Sequence, residues 1–380
     1  MKKINKPLRL GFVGGGLNSN IGQTHFSASQ LDGIWKVVSG IFGENNKINK
    51  KTAETWNIPK DRVYSNLEKF IKNEKNRLDA VAVIVPIPTH FGIISELLKN
   101  NIPVISEKTM VSDLDQAQKI FKICKINNSF LNVTYNYCGY PMIRELKAKI
   151  KKNELGELQQ IHIEMPQDGY INVLNGKDSI KKWRLTDKKI PTLILDLVSH
   201  MYSLCYFLTE KKPKKIFSLF ANFSKFKVID NSFMQLEFEK GMQGFFWASK
   251  VAYGNRNNLK IRIFGSKGSA EWNHANPEEL KISLKNNVYT AIDRASKSII
   301  SKNNRYNRFK VGHPSGFIEA FANLYYDIAE ALKTFKKYRK YKNPYIFNQF
   351  YELENMEVLS KAARSHKNKS WQNLNFLKTK

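Results

Sequence analysis

Residues 10–25 read LGFVGGGLNSNIGQTH, a short apolar run that ends in three consecutive glycines, with Gly22 following six positions after Gly16. Glycine weakens regular structure, so a cluster of it straight after a strand calls for a reason. A glycine-rich turn between the first strand and first helix of a dinucleotide-binding unit supplies one. It lets backbone N–H groups approach a pyrophosphate at the helix N-terminus. The usual spacing is GxGxxG. Here Gly14 and Gly16 form its first pair, and the insertion LNSN displaces the third member to Gly22.

Working outward, the first third of the chain alternates strand and helix. WKVVSGIF (35–42) reads as a second strand and KTAETWNI (51–58) as a helix. LDAVAVIVP (78–86) is nearly all apolar, as a strand covered on both faces should be. HFGIISELLKNN (90–101) is a helix and IPVISEK (102–108) a strand; SDLDQAQKIFKICKIN (112–127) opens with Ser112 as the expected N-cap, and FLNVTYNY (130–137) closes the series. This spacing predicts a doubly wound parallel sheet, a Rossmann domain over residues 1–138.

From about residue 157 the pattern changes. Strands follow in quick succession, including ELQQIHIEMP, KKIFSLFANF, SFMQLEFE, MQGFFWASK, LKIRIFG and SAEWN. They predict a second α/β domain, residues 139–380, with a large, mostly antiparallel open sheet covered by helices such as 193–208. The polar stretch 286–308 is expected to be a long loop.

Bulk properties exclude several classes. A chain of 380 residues, 42% hydrophobic, can bury two cores. Three scattered cysteines with no CxxC exclude a disulfide framework and a zinc site, no metal is expected, and a reducing cytoplasm fits. The basic, glycine-broken start does not read as a signal peptide. Residues 190–208 are apolar, but Asp196 and His200 within them favour a buried helix beside a polar site over a membrane span. The net charge of +29 is spread along the chain. Its densest run, KTFKKYRKYK (333–342), reads as the end of an amphipathic helix, so no nucleic acid is expected.

The second strand of a Rossmann unit normally ends in an acid that bonds the ribose hydroxyls. Gly43 stands there, with Glu44 next, which leaves NAD and NADP both open.

VPIPTHF (85–91), SEK (106–108), YNYCGYPMIRELK (135–147), WR (183–184), DLVSH (196–200) and GHPSGFIEAFANLY (312–325) occur in an order that resembles the Gfo/Idh/MocA oxidoreductase family, typified by glucose–fructose oxidoreductase and inositol dehydrogenase. The resemblance covers nearly the whole chain. It implies an NAD(P)-dependent dehydrogenase of a sugar, sugar derivative or cyclitol, assembled as a homo-oligomer (dimer or tetramer) through the open sheet. Gly14, Gly15, Gly16, Ile21, Gly22 and Glu44 are then expected to hold the cofactor, with Pro86, His90, Glu107 and Lys108 completing its site. Lys108 matches the lysine of the family's Glu-Lys-Pro motif, and Asp196 and His200 match the acid and histidine of its downstream helix. The chain departs from the pattern at Thr109, in place of the proline, and at Leu195 and Val198, in place of glycines around the aspartate.

Oxidising a secondary alcohol needs a hydride acceptor, a base and a partner for the developing alkoxide. Histidine changes charge near neutral pH, which suits His200 as base. Asp196 lies four residues earlier, so the two side chains are expected on one helix face. Lys108, at a strand's carboxyl end, is the expected electrostatic partner. Asn136, Tyr137, Trp183 and Arg184 are candidate substrate ligands, and Arg184 would suit an anionic sugar such as a sugar nucleotide. Two other functions fit the same resemblance: an NAD-dependent glycosidase with transient substrate oxidation, and a non-catalytic sugar or dinucleotide sensor.

Overall fold

The alternating first third folds as a five-stranded parallel sheet. In the computed structural model, which describes residues 6–176, 180–284 and 288–377, it runs β1 (Leu8–Gly14), α1 (Asn20–Gln30), β2 (Trp35–Ile41), α2 (Asn46–Thr55), α3 (Leu67–Glu74), β3 (Ala80–Ile84), α4 (Ile87–Lys99), β4 (Val104–Ser106), α5 (Leu114–Asn127) and β5 (Leu131–Val133). The strand order is β2-β1-β3-β4-β5. Beyond β2, Val63 adds a one-residue parallel bridge to Gly40. β3 is buried along its whole length, which explains its uninterrupted apolar sequence. Short polar side chains start the helices: Ser19, Asn45 and Asn66 cap α1, α2 and α3. The cap of α5 is Asp113 rather than the expected Ser112. Its carboxylate accepts from Gln116 N (3.0 Å), and the Gln116 side chain accepts from Ser112 N in return.

The remaining elements are α6 (Pro141–Lys151), β6 (Leu158–Pro166), α7 (Gly169–Leu174), α8 (Ser199–Thr209), β7 (Lys215–Ala221), β8 (Asn231–Glu237), β9 (Gln243–Ser249), β10 (Lys260–Gly265), β11 (Gly268–Asn273), β12 (Asn276–Leu284), β13 (Tyr289–Ile292), α9 (Phe317–Tyr338), α10 (Gln349–Asn368) and β14 (Gln372–Asn373). A nine-stranded sheet in the order β13-β12-β11-β10-β6-β9-β8-β7-β14 joins them, antiparallel except where β6 meets β9.

The chain divides into two compact units, Met1–Gly139 with Phe317–Leu353, and Tyr140–Gly316 with Glu354–Lys380. A second domain running unbroken from 139 to the end is therefore not what the fold shows. α9 returns to the first unit, where Phe321, Tyr325, Ile328 and Leu332 join Leu10, Phe12 and Trp35 in one core. Trp35 Nε1 donates to Tyr325 O at 2.9 Å.

The expected loop 286–308 also differs. Residues 286–287 lie outside the described residues, but β13 pairs with β12. Beyond it the chain is pinned by the buried Glu145 carboxylate, which accepts from Ile299, Ile300 and Ser301 N. Buried Arg294, donating to Glu278 and to Tyr306 O, holds the same stretch. Both anchors join residues more than ten positions apart, so the local sequence reads only as polar. Among the described residues no helix is long and apolar enough to cross a membrane.

Candidate active site

In the first unit the expected cofactor residues line up on the carboxyl edge of the parallel sheet, where open α/β sheets bind ligands. Gly14 ends β1 with φ +82°, and Gly15 follows with φ +73°, a region that favours glycine. Gly16 N donates to Phe42 O (2.9 Å) and Leu17 N to Thr52 Oγ1 (3.3 Å), so the loop is tied to the end of β2 and to α2. The LNSN insertion has a clear use: Ser19 accepts from Gly22 N and begins α1. Gly22 then packs so closely that any Cβ would fall on the backbone of Gly15. A positive-φ turn running into a capped helix with its third glycine pressed on the loop is a cradle that fits a dinucleotide pyrophosphate. Ile21 is partly buried and packs against the core of the first unit.

At the end of β2, a Cβ on Gly43 would meet Ile48 at 2.7 Å, so an acid at that position would point into α2. Exposed Glu44 is the carboxylate that follows the strand.

Pro86 leads from β3 into α4. His90, expected beside the nicotinamide, is fully buried, with Nε2 at 2.8 Å from Val85 O and Nδ1 at 3.0 Å from Thr109 O. Burial outweighs the pull of these carbonyls and Glu107 and holds its pKa below the ordinary histidine value. His90 therefore ties the segment around Lys108 to the end of β3. The Lys108–Thr109 peptide is cis.

Glu107 is likewise taken up by the protein. Its Oε1 accepts from Thr134 Oγ1 (2.6 Å) and meets His25 Nε2 (3.1 Å), while His25 Nδ1 meets Tyr325 OH (2.8 Å). Burial alone would raise its pKa, but His25, Lys108 and Thr134 outweigh it, and the carboxyl titrates below its ordinary value of 4.5. With Glu107 N bonded to Val83 O and Thr109 buried, half-buried Lys108 is held between two fixed neighbours.

A pH dependence follows with a definite sign. A depressed carboxyl contributes stability that is present above 4.5 and lost as pH falls through the lower, folded-state value. The thermal midpoint measured by calorimetry from neutral to acid pH should fall in this way, and Glu107→Gln should flatten that limb. Glu107→Ala should cost about 2 kcal/mol near neutrality, because the buried His25 and Thr134 would lose their hydrogen-bond partner. Identical acid limbs in wild type and Glu107→Gln would show that this carboxylate carries none of the effect.

After β5, Asn136 and Tyr137 sit in a buried turn, Asn136–Gly139. Asn136 Nδ2 is buried and has no hydrogen-bond partner among the described residues, a donor in need of an acceptor.

In the second unit the expected helix 193–208 is not regular. Ile194–Val198 form a π-helical turn that continues into α8, and Ser199 N reaches back to Ile194 O. Such widened turns recur at functional sites. Asp196 lies inside the turn and His200 in the α-helical part beyond it, both buried. The regular 3.6-residue turn expected there is locally widened at Asp196.

The Asp196 carboxylate meets two cations: Lys250 Nζ at 2.6 Å and Arg184 Nε at 3.3 Å, both on Oδ2. Arg184 is in the turn Lys182–Leu185 and covers the ring of Trp183, centroid distance 4.4 Å. Trp183 Nε1 is buried with no partner among the described residues. Tyr170 of α7 donates its hydroxyl to Arg184 O (3.1 Å). Burial first, and Asp196 second, push that phenol well above its ordinary pKa. Lys250, like His25 in the first unit, escaped the sequence reading. Its one signal was a lysine closing the apolar strand MQGFFWASK.

Comparisons with known proteins agree with this architecture. The family model described as an oxidoreductase family with an NAD-binding Rossmann fold matches residues 8–135, and that of the GFO/IDH/MocA C-terminal domain matches residues 143–271. Among curated relatives, the uncharacterized oxidoreductase YfiI of Bacillus subtilis (strain 168) is 27% identical over 341 residues, 87% of this chain and 86% of its own. Among solved structures, an inositol dehydrogenase homolog from Azotobacter vinelandii, complexed with NADH and myo-inositol, has a TM-score of 0.88 at 26% identity, covering 98% of this chain and 99% of that one. Levoglucosan dehydrogenase in complex with NADH and L-sorbose, at 16% identity and TM-score 0.85 over 98% of this chain and 100% of its own, shares the fold. With its two halves matched in order, the chain belongs to the GFO/IDH/MocA family as an NAD-binding oxidoreductase.

Proposed function

We propose that the protein is an NAD-dependent dehydrogenase that oxidises a secondary hydroxyl of a neutral cyclitol or sugar. The charge balance around Asp196 carries this reading. Arg184 and Lys250 already meet one carboxylate, and Asp187 and Asp230 are near enough to act on the same Tyr170 hydroxyl. Among these described residues three carboxylates stand near two cations, which counts against the anionic sugar expected from Arg184 and the net charge. That balance suits a ligand rich in uncharged hydroxyls, for which the unpartnered donors of Asn136 and Trp183 are candidate contacts. The Azotobacter homolog crystallised with NADH and myo-inositol lends support.

In this reading Gly14, Gly15, Gly16 and Gly22 hold the pyrophosphate, and Glu44 bonds the adenosine ribose. A carboxylate there disfavours a 2′-phosphate and so favours NAD over NADP. When bound, the nicotinamide supplies the hydride acceptor. His200 takes the hydroxyl proton, Asp196 orients the substrate hydroxyl or the histidine, and Lys108 steadies the developing alkoxide.

The test is NAD reduction, followed spectrophotometrically, across neutral cyclitols, neutral sugars, phosphorylated sugars and sugar nucleotides. A neutral polyol should be preferred by at least about tenfold in kcat/KM, the worth of roughly 1.4 kcal/mol. Turnover confined to anionic sugars would overturn the reading. Turnover without net NADH would favour the transient-oxidation glycosidase.

The outward face of the nine-stranded sheet is a second element of the proposal. Leu219, Phe233, Phe245 and Phe264 are exposed on it by 46%, 54%, 38% and 37%. The register sets Leu219 beside Phe233 and Phe233 beside Trp247, while His162 stacks edge-on against Phe245 and Phe264. A patch of this kind marks an interaction surface, and a second copy of the chain is the proposed occupant, as the resemblance implies. Sedimentation velocity at micromolar concentration should show a dimer or tetramer. Phe233→Glu should weaken association at least about tenfold; a wild-type monomer would remove this part.

A further inference from the structure

We infer that Lys250 is a positioning residue for the reaction, acting on substrate through Asp196. The inference rests on the polyol dehydrogenase reading and deepens it.

Lys250 follows β9 and is buried, with its backbone fastened on both sides. Its N–H donates to Asp230 O (2.8 Å), and its carbonyl accepts from Tyr170 N (3.0 Å). Asp230 is itself fixed, its carboxylate accepting from Phe223 N and Ser224 N. From that platform the side chain passes over the Tyr170 ring, Nζ 5.6 Å from the centroid, and ends 2.6 Å from Asp196 Oδ2.

Arg184 reaches the same oxygen from the opposite element and is held by Tyr170 through its carbonyl. Lys250, Tyr170, Arg184 and Asp196 thus close a ring in which each member fixes another. The π-helical turn gives Asp196 a backbone that its own helix does not hold in regular register. Two donors on one carboxylate oxygen supply the missing constraint. They differ in kind: buried Lys250 stands just past the end of β9 with its backbone bonded on both sides, whereas Arg184 is one-third exposed on a short turn. The lysine is therefore the one that sets the carboxylate's position.

A misplaced catalytic group can cost about 10²-fold in rate, so Lys250→Met should lower kcat by about 10²-fold. NADH affinity, read by calorimetry, should stay within about twofold. Lys250→Arg, which restores a cation on Asp196, should recover about tenfold of the loss.

A double-mutant cycle separates positioning from packing. Combining Lys250→Met with Asp196→Asn should cost no more than about threefold beyond Asp196→Asn alone, because residues acting through one contact are not additive. Losses that multiply, or a folded Lys250→Met enzyme with wild-type kcat, would overturn the assignment. Should Lys250→Met fail to fold, Lys250→Gln carries the same comparison. An Asp196→Asn enzyme with wild-type turnover would likewise overturn the assignment, whereas a wild-type enzyme that reduces NAD with no polyol would overturn the dehydrogenase reading beneath it.

Discussion

Replacing His200 by alanine is expected to lower kcat by about 10²- to 10⁴-fold, the usual cost of removing a general base, with NADH affinity little changed. His200 lies in α8, whose next turn is braced by Ser203 Oγ donating to the His200 carbonyl (2.7 Å). The imidazole is therefore presented from a firm backbone, and its loss should leave the helix intact. The rise of kcat/KM with pH in the direction of alcohol oxidation should disappear in this variant, because the group that must lose its proton is gone. Lys108→Ala should lose a comparable factor, since an alkoxide-like transition state would lose its cation. Lys108→Arg should rescue only part, because a planar guanidinium cannot stand in for a compact ammonium point charge. The neighbours make this a clean comparison. Glu107 and Thr109 are held by His25, Thr134 and His90 whatever side chain stands at 108. A His200→Ala enzyme that keeps wild-type turnover and the same pH limb would remove His200 from the mechanism.

The parts of this fold that were legible are those written in local periodicity. The parallel sheet announced itself because β3 and its neighbours are apolar on both faces, and the antiparallel sheet because β6 to β11 alternate between a buried and an outward face. The ends of β1, β3, β4 and β5 could be assigned to a ligand edge for the same reason. The π-helical turn at Ile194–Val198 was not legible. No residue pattern distinguishes it from the apolar helix that surrounds it, and the spacing of Asp196 and His200 reads equally well as a regular turn.

What lay furthest from view were partners distant in sequence. His25 answers to Glu107, 82 residues away, and to Tyr325, 300 residues away, so its position just past the glycine loop looked incidental. Lys250 and Asp196 are 54 residues apart. Arg184 was legible as a candidate from its charge, but its partner Asp196, twelve residues on, was not. The return of α9 to the first unit is hidden for a related reason. An amphipathic helix declares that it has a buried face but not which core receives it.

Gly22→Ala is expected to abolish measurable NADH binding, a loss of at least about 10²-fold, since one methyl group must displace backbone and not a pliable side chain. The added Cβ would fall on the carbonyl of Gly15, which precedes the loop's contact with the end of β2. To make room, α1 would have to move away from the loop, and with it the Ser19 cap that aims the first N–H groups of the helix. Those N–H groups and the helix dipole are what a pyrophosphate would bind, so the substitution strikes the cradle without touching a charged side chain. Gly16→Val makes a complementary case. Its Cβ would stand 2.5 Å from Phe42 O and 2.9 Å from Thr52 Oγ1, so it forces the loop off β2 and α2 from the other side. Overpacking of this kind costs about 1–3 kcal/mol of stability, and a circular dichroism melt must first show that each variant is still folded at the temperature of calorimetry. Folded Gly22→Ala and Gly16→Val proteins with wild-type NADH affinity would place the dinucleotide somewhere other than this loop.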